Sequence, residues 1–356
     1  MTTTNSTEPT KTIAVYGATG VTGGSLLTEL GRRGITSILV GRNADRMRAA
    51  AEAAGMPAAE VRMADLDDHG ALVAAFTGAD AVISSLPAYV EHGEAVLAAA
   101  IDAGAHYTDM SGEQLFLKRV FDDYAGRAEA AGVTAVPGIT NSNLPGDLLG
   151  YLTSRLLTGP VEIAMSLVGT SEGNGSKGSA RTVLAGLDWF RSGGWHFEDG
   201  ELRTGGTARR PEMTFPGATA STAVSKFPQP PVITIPRHSD VSYVEGVLET
   251  AFHSQLSGFS AEIVESLPDE PTPGLSYDLV VDAFGADGRS VRGVVSGRDA
   301  YVDSALMAVE AAVRLTDRAA KAGALAAAEA FDAEDFLDAL APFGITWELD
   351  ERGSGM

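Results

Sequence analysis

Three glycines near the N-terminus have the spacing of a phosphate-binding turn. Gly17, Gly20 and Gly23 follow five residues that suit a buried strand, and a segment of helical periodicity comes after them. The first glycine permits the turn, the second lets backbone approach a pyrophosphate, and the third lets the helix pack close to the strand. A ligand-free glycine loop is the alternative, but the flanking strand and helix favour binding. We therefore expect a dinucleotide to contact Gly17, Ala18, Thr19, Gly20, Val21 and Thr22.

Strands and helices alternate with short loops over the first 136 residues. The pattern predicts strands at 12–16, 37–41, 61–64, 81–86, 106–110 and 133–136, and helices at 25–30, 44–54, 70–76, 91–103 and 113–131. Such alternation is typical of a parallel sheet covered on both faces, and right-handed crossovers make it doubly wound. The sequence therefore predicts an α/β fold with a Rossmann domain at residues 12–147.

Composition restricts the possible functions. The chain has 356 residues, enough for two domains, and it contains no cysteine, which excludes disulfides and thiolate sites. A formal charge of −21 opposes nucleic-acid binding. No apolar run is long enough to span a bilayer, so we expect no membrane partner and a cytoplasmic location. The polar residues 1–11 are expected to be a disordered lead-in.

The end of the second strand bears on which dinucleotide binds. NAD sites usually carry an acidic residue there, whereas this chain has Arg42 and Asn43, with Arg46 one turn later. Two guanidinium groups could bind a 2′-phosphate, which favours NADP. In the alternative interpretation Asn43 only caps the following helix, both arginines are solvated, and NAD is not excluded.

Later strand ends should complete the cofactor groove, because ligands of open parallel sheets lie beyond the carboxyl ends of the strands. Asp65 and Leu66 fall where adenine would lie. Ser84, Ser85, Leu86 and Pro87 fall where the nicotinamide ribose would pass, although either segment could be ordinary loop structure. Ser111 and Gly112, after the fifth strand, are also expected to contact the cofactor.

Four further segments carry distinctive motifs: a proline–tyrosine turn at 87–89, a glycine–glutamate pair at 93–94, a serine–glycine–glutamate at 111–113, and a glycine-rich crossing at 138–148. Together they resemble the saccharopine dehydrogenase-like oxidoreductases, particularly the branch that includes trans-acting enoyl reductases. These matches run in order through residues 12–150. The resemblance implies an NAD(P)-binding reductase or dehydrogenase with an inserted α+β domain, after which the chain returns to the nucleotide domain.

The pattern changes after residue 150. Predicted strands at 161–169, 277–284 and 290–296, the last two joined by an Asp-Gly turn, indicate an α+β domain at 148–299 on a mostly antiparallel sheet. A helix is expected at 179–190, a short strand at 232–235, and few clear elements between 193 and 236. A helix at 300–322, ended by Gly323, would lead a C-terminal segment, 300–356, back onto the Rossmann domain. The inserted domain is expected to bind substrate and to form a homodimer.

Candidate catalytic residues are fewer. Lys177 is one of only five lysines and precedes a predicted helix in the glycine-rich loop 170–178, where it could bind a substrate carboxylate or act as a general acid. An exposed loop lysine is an equal alternative. Tyr89 lies near the expected nicotinamide end but could also cap or pack. Asn141 and Asn143, where the chain leaves the Rossmann domain, are expected to contact substrate.

Two functional classes fit these observations. The first is an NADP(H)-dependent oxidoreductase that reduces a C=N or C=C bond of a small organic substrate held between the domains, or catalyses the reverse oxidation. The second is a catalytically silent NADP-binding sensor or interaction module. The histidines lack HExxH spacing and there are no cysteines, so no metal site is expected.

Overall fold

The computed structural model of the protein describes residues 11–268, 270–317 and 321–352. Residues 1–10 of the predicted lead-in lie outside this range. Lys11 is described and pairs with Asp317. In chain order the described strands are β1 (Thr12–Tyr16), β2 (Thr36–Gly41), β3 (Glu60–Met63), β4 (Ala81–Ser84), β5 (His106–Asp109), β6 (Thr134–Val136), β7 (Val161–Gly169), β8 (Trp195–Glu198), β9 (Glu201–Thr204), β10 (Glu212–Met213), β11 (Thr222–Lys226), β12 (Val241–Glu249), β13 (Tyr277–Phe284), β14 (Ser290–Gly297), β15 (Gly323–Ala324) and β16 (Thr346–Arg352).

The described helices alternate with these strands in the first half of the chain. They are α1 (Val21–Arg32), α2 (Ala44–Ala53), α3 (His69–Phe76), α4 (Tyr89–Asp102), α5 (Gln114–Arg119), α6 (Ala125–Ala131), α7 (Asn143–Ser154), α8 (Lys177–Ala185), α9 (Leu187–Arg191), α10 (Pro231–Thr234), α11 (Thr250–Gln255), α12 (Ala261–Ser266), α13 (Ala300–Asp317), α14 (Ala327–Ala330) and α15 (Ala333–Leu340). None of them is both long and apolar enough to cross a membrane.

The first sheet is parallel and has the strand order β15-β6-β5-β4-β1-β2-β3. Alternate residues of β1 enter different cores: Ile13 and Val15 pack with α1 and α13, and Ala14 and Tyr16 pack with α3 and α4. Both faces are therefore covered, which explains why the strands are continuous apolar runs. This confirms the predicted doubly wound Rossmann sheet.

A seventh strand of this sheet was not predicted. β15 extends the sheet beyond β6, with Gly323 opposite Thr134 and Ala324 opposite Ala135. The sequence placed a helix as far as residue 322, whereas α13 ends at Asp317, and residues 318–320 lie outside the described ranges. Two residues are too few to show a strand period, so only pairing with β6 identifies this strand.

The second sheet has nine strands in the main order β10-β11-β12-β7-β13-β14-β16, and β8 joins β12 and β9. Every pair in it is antiparallel except β12 with β7. The predicted mostly antiparallel sheet is confirmed, and so is the hairpin of β13 and β14. Helix α7 lies on the inner face of this sheet and joins its core to that of the Rossmann domain.

Several element predictions were wrong in detail. Residues 232–235, predicted as a strand, lie in α10 and the 3₁₀ turn Ile235–Arg237, because Pro231 fixes a helical φ at the first position. The helix predicted at 113–131 contains a π segment, Val120–Tyr124, between α5 and α6. The helix predicted at 179–190 is two helices that meet at Gly186.

The C-terminal strand also differs from its prediction. We expected the segment after residue 300 to return as a whole to the Rossmann domain. Helix α13 does pack against α1, but β16 pairs antiparallel with β14 in the second sheet. Trp347 and Leu349 on β16 pack into the shared core. Strand alternation alone could not show which sheet would accept this strand.

Candidate cofactor and substrate site

The glycine turn between β1 and α1 leaves a space beside its middle glycine. Gly17 has φ +89°, and a Cβ added there would lie 2.0 Å from the Ser85 carbonyl oxygen. A Cβ on Gly23 would lie 2.4 Å from the Gly17 carbonyl oxygen. Gly20 is exposed, and its nearest protein atom would be 3.6 Å away. Two glycines are thus required by the fold, and the third is compatible with a ligand.

The N-terminus of α1 fits a pyrophosphate. No side chain in the described ranges caps it, and its first turn carries no acidic residue. The amide groups of Val21, Thr22 and Gly23 therefore remain available to an anion, with the helix dipole adding partial positive charge. Ala18 is buried and Thr19 is half-buried in the turn that leads to these amides.

The predicted adenosine end lies after β2 and β3. Arg42 and Arg46 are both exposed, and within the described ranges neither forms an ion pair. Asn43 caps α2, since its Oδ1 accepts the Arg46 amide at 3.0 Å. Capping and phosphate binding are compatible, because the cap uses only the asparagine. Asp65 is exposed, and its Oδ1 accepts the amide of half-buried Leu66 at 2.7 Å.

Tyr89 connects the loops after β4 and β5 and is 2% exposed. Its hydroxyl donates to the Ser84 carbonyl at 2.7 Å and accepts the amides of Leu86 at 3.0 Å and Met110 at 3.2 Å. Burial raises the pKa of this phenol above its usual value. The hydroxyl is fully engaged with backbone, so these contacts favour a positioning role over the predicted catalytic one.

Glu113 fixes the start of α4 beneath the same loop. One of its carboxylate oxygens accepts the Tyr89 amide at 2.7 Å and the other accepts the Val90 amide at 3.0 Å. Pro87, in the loop after β4, is exposed, and so is Gly112, in the loop after β5. The predicted contacts 84–87 and 111–112 thus lie side by side at the carboxyl ends of adjacent strands, β4 and β5.

Asp109, at the end of β5, joins the loops after β5 and β6. It is 0% exposed, and its Oδ1 accepts the amides of Ser111 at 2.8 Å and Gly138 at 2.9 Å. Asn143 adds a second link, since its Nδ2 donates to the Ser111 carbonyl at 2.9 Å. The predicted substrate residue Asn143 is 4% exposed and therefore supports the loops from below. Asp109 was not among the predicted site residues.

Burial raises the pKa of Asp109 to about 7, against the lowering effect of the two backbone amides. The folded pKa lies above the unfolded value of about 3.9, so the folded protein binds the extra proton between those values. Stability is therefore lost as pH rises from about 4 to about 7. Asn keeps the accepting oxygen but cannot titrate. We predict that Asp109→Asn reduces the pH-dependent loss in the free energy of unfolding by about 1–4 kcal/mol.

Chemical denaturation of both proteins at pH 5 and pH 8 measures this effect. Asp68→Asn is a suitable control, because Asp68 is exposed and its side chain caps α3 by accepting the Ala71 amide. The same pH dependence in Asp109→Asn and the parent protein would contradict the assignment.

Two helices contact the loops at this edge: α8 of the second domain, and α13, which packs on the Rossmann sheet beside α1. Thr182 of α8 accepts the Ala88 amide at 3.1 Å, next to the β4 loop. Ser304 of α13 accepts the Asn141 amide at 2.9 Å, after β6. The Asn141 Nδ2 is buried and has no hydrogen-bond partner within the described ranges. Asn141 is thus the predicted substrate residue that retains an unused donor.

Lys177 was predicted to face this edge, but its side chain points towards Glu265 of α12. It is the first residue of α8, and its Nζ lies 3.2 Å from the Glu265 carbonyl oxygen and 3.5 Å from the Glu265 carboxylate. Arg181 also contacts that carboxylate, at 3.1 Å. These contacts place both cations against α12 and weaken the predicted catalytic role of Lys177.

Two links of the site were not apparent from the sequence. Gln114 is fully buried and docks the second domain, since its side chain exchanges hydrogen bonds with both the amide and the carbonyl of Trp195. Tyr301 contacts the start of α8: the Ser176 amide donates to its hydroxyl at 2.6 Å. The only sign of these contacts in the sequence was the position of Gln114, directly after the serine–glycine–glutamate motif.

The fold and site define a class: a Rossmann dinucleotide-binding protein whose second domain covers the carboxyl edge of the parallel sheet. Residues 13–136 match the family model of the saccharopine dehydrogenase NADP binding domain. This N-terminal part of the chain is thus similar to the NADP-binding domain of the saccharopine dehydrogenase-like oxidoreductases, and the cofactor that this domain model indicates is NADP(H).

Individual relatives are similar to part of this chain. A trans-acting enoyl reductase of Mycobacterium tuberculosis is 30% identical over 147 residues, which are 40% of this chain and 35% of that protein. A lipid droplet localized protein of Caenorhabditis elegans is 28% identical over 189 residues, 49% of this chain and 44% of that protein. The chain thus spans less than half the length of these curated relatives.

Among solved structures, apo saccharopine dehydrogenase (L-Glu forming) of Saccharomyces cerevisiae has a similar fold. The TM-score is 0.63 at 12% identity, covering 96% of this chain and 100% of that chain. At this identity the likeness concerns the fold, including the second domain that the family model does not reach.

Proposed function

We propose that this protein is an NADP(H)-dependent oxidoreductase that reduces a C=N or C=C bond of a small organic substrate held between its two domains. One observation carries the proposal: Thr182 and Ser304 attach α8 and α13 to the loops after β4 and β6, directly over the edge where the cofactor binds. A covered carboxyl edge provides the chamber that substrate and nicotinamide would share. The enoyl reductases among the relatives support this reading.

The protein's own contribution is binding and orientation. The uncapped α1 N-terminus would hold the pyrophosphate, and Arg42 with Arg46 would hold the 2′-phosphate. The network of Tyr89, Asp109 and Asn143 fixes the loops on which the nicotinamide would rest. When bound, the reduced cofactor supplies a hydride.

A catalytically silent NADP-binding module is the alternative. A sensor needs no second domain at the cofactor edge, whereas here Thr182 of α8 contacts the loop after β4. Loss of NADPH absorbance at 340 nm on addition of imine or enoyl compounds separates the two functions. Binding of NADPH without turnover across both classes would favour the sensor. We further propose a cytoplasmic homodimer, which sedimentation of the purified protein would test.

Lys177→Ala is predicted to change turnover by less than about threefold, because Lys177 contacts Glu265 and lies on the far side of α8. Steady-state kinetics with NADPH measure this effect. A large fall in kcat with unchanged NADPH affinity would instead restore Lys177 as a substrate contact.

A further inference from the structure

Three hydroxyl groups meet where α8 faces the start of α13. Ser179 Oγ lies 3.1 Å from Tyr301 Oη and 3.1 Å from Ser176 Oγ. The Ser176 amide donates to Tyr301 Oη, and the Ser179 amide donates to Ser176 Oγ. We call Ser176, Ser179 and Tyr301 the hydroxyl cluster.

One hydroxyl proton of the hydroxyl cluster is not used in hydrogen bonds within the cluster. Three hydroxyl groups carry three protons, but only two hydroxyl-to-hydroxyl contacts join them, and each contact uses one proton. Within the described ranges these hydroxyls have no other acceptor, because their remaining contacts are to amide donors. At least one O–H group is therefore available to another molecule.

The hydroxyl cluster lies one helical turn from the loops that bear the nicotinamide site. Ser179 precedes Thr182, which contacts Ala88, by three residues, and Tyr301 precedes Ser304, which contacts Asn141, by three residues. Residues three apart lie on one face of a helix, about 5–6 Å from each other. The hydroxyl cluster therefore lies between α8 and α13, about one helical turn from both loops.

The cations of α8 lie on the side of the helix opposite the hydroxyl cluster. At about 100° per residue, Lys177 and Arg181 share one side of the helix, and Ser179 and Thr182 lie about 150° around it. Both cations contact Glu265 on α12. The side of α8 that contacts Ala88 and Tyr301 therefore presents hydroxyl groups rather than positive charge, which suits an uncharged hydrogen-bond acceptor.

We propose that the hydroxyl cluster, through Tyr301, donates a hydrogen bond to the uncharged oxygen or nitrogen atom of the substrate's reducible group. This inference rests on the proposed reductase function. Bound NADPH would supply a hydride to the substrate carbon and be oxidised to NADP+, while the electron pair of the C=N or C=C bond would move to the nitrogen or, through conjugation, to a carbonyl oxygen. In an imine, the nitrogen takes the Tyr301 proton, and water restores it. In a conjugated carbonyl compound, Tyr301 stabilises the oxygen, and water protonates the α-carbon.

The first test, which needs no substrate, asks whether Tyr301 lies close to the bound cofactor. The protein is treated with tetranitromethane with and without saturating NADP+, and nitration of each tyrosine is followed by peptide mass spectrometry. Tyr124, which is hydrogen-bonded to Glu94, and Tyr151, which lies under the Arg155 guanidinium, are half-buried and serve as internal references. We expect NADP+ to slow nitration of Tyr301 severalfold and to leave the references unchanged. Equal nitration of Tyr301 in both samples would overturn the proposal.

The second test measures turnover of neutral and charged probes. We expect the parent protein to reduce crotonyl N-acetylcysteamine thioester or 2-methyl-1-pyrroline faster than 1-pyrroline-2-carboxylate, and Tyr301→Phe to lower kcat about 100-fold with NADPH affinity unchanged. Tyr124→Phe, which loses a hydroxyl hydrogen-bonded to Glu94, should retain the parent kcat. Preference for the carboxylate, or an unchanged kcat in Tyr301→Phe, would overturn the inference. Protection of Tyr301 without turnover of any probe would support its location and count against the proposed reductase function.

Discussion

Gly20→Val is expected to weaken NADPH binding by about 3 kcal/mol or more, over 100-fold, in a protein that still folds. A Cβ at Gly20 meets no protein atom closer than 3.6 Å, so the fold has room for a side chain there. The same space lies beside the free amides at the start of α1, where the pyrophosphate must approach. Valine would fill the space and prevent those hydrogen bonds.

Titration of NADPH fluorescence against both proteins measures the loss. Gly24→Val is the matched control, because Gly24 lies one turn further along α1 and a Cβ there meets no atom within 4 Å. We expect the control to bind NADPH normally. Gly17 cannot serve this purpose, since its φ of +89° and its contact with Ser85 would disturb the turn itself. Tight NADPH binding by a folded Gly20→Val protein would show that the pyrophosphate does not bind at this turn.

Arg42→Asp is expected to cost about 1.5–3 kcal/mol of NADPH affinity, roughly 10-fold to 150-fold, with little loss of NADH affinity. Arg42 is exposed at the end of β2, and no carboxylate within the described ranges pairs with it. An aspartate there would repel the 2′-phosphate and could instead accept a hydrogen bond from a ribose hydroxyl. The ratio of the two dissociation constants is the quantity to measure.

Arg48→Asp makes the same charge change on α2 and is a suitable control. Arg48 is exposed and pairs with Asp45 at 3.2 Å, so its guanidinium is already engaged. The control should keep the parent preference for NADPH. If Arg42→Asp leaves the ratio unchanged, the 2′-phosphate is held elsewhere, and Arg46 becomes the next candidate.

Local patterns predicted the Rossmann domain well, because apolar strands alternate regularly with helices from β1 to β6. The apolar runs of β1, β2 and β4 require burial on both faces, and the glycine spacing requires a tight turn before α1. Single residues at strand ends were also predictable, because parallel strands bring those ends to one edge. Nothing local distinguishes Tyr89 as a buried connector from Tyr89 as a catalyst, since burial depends on the loop above it.

The sequence by itself determined the nucleotide fold, the anion-binding turn and the positive charge at the end of β2, because these depend on residues close together in the chain. The tertiary structure alone decided which polar groups lie near the loops after β4 and β6. Tyr301 and Ser179 are 122 residues apart, and the direction in which Lys177 points was set by Glu265, 88 residues away. Contacts across such separations leave no period or spacing in the sequence, so they appear only when the two domains have packed together.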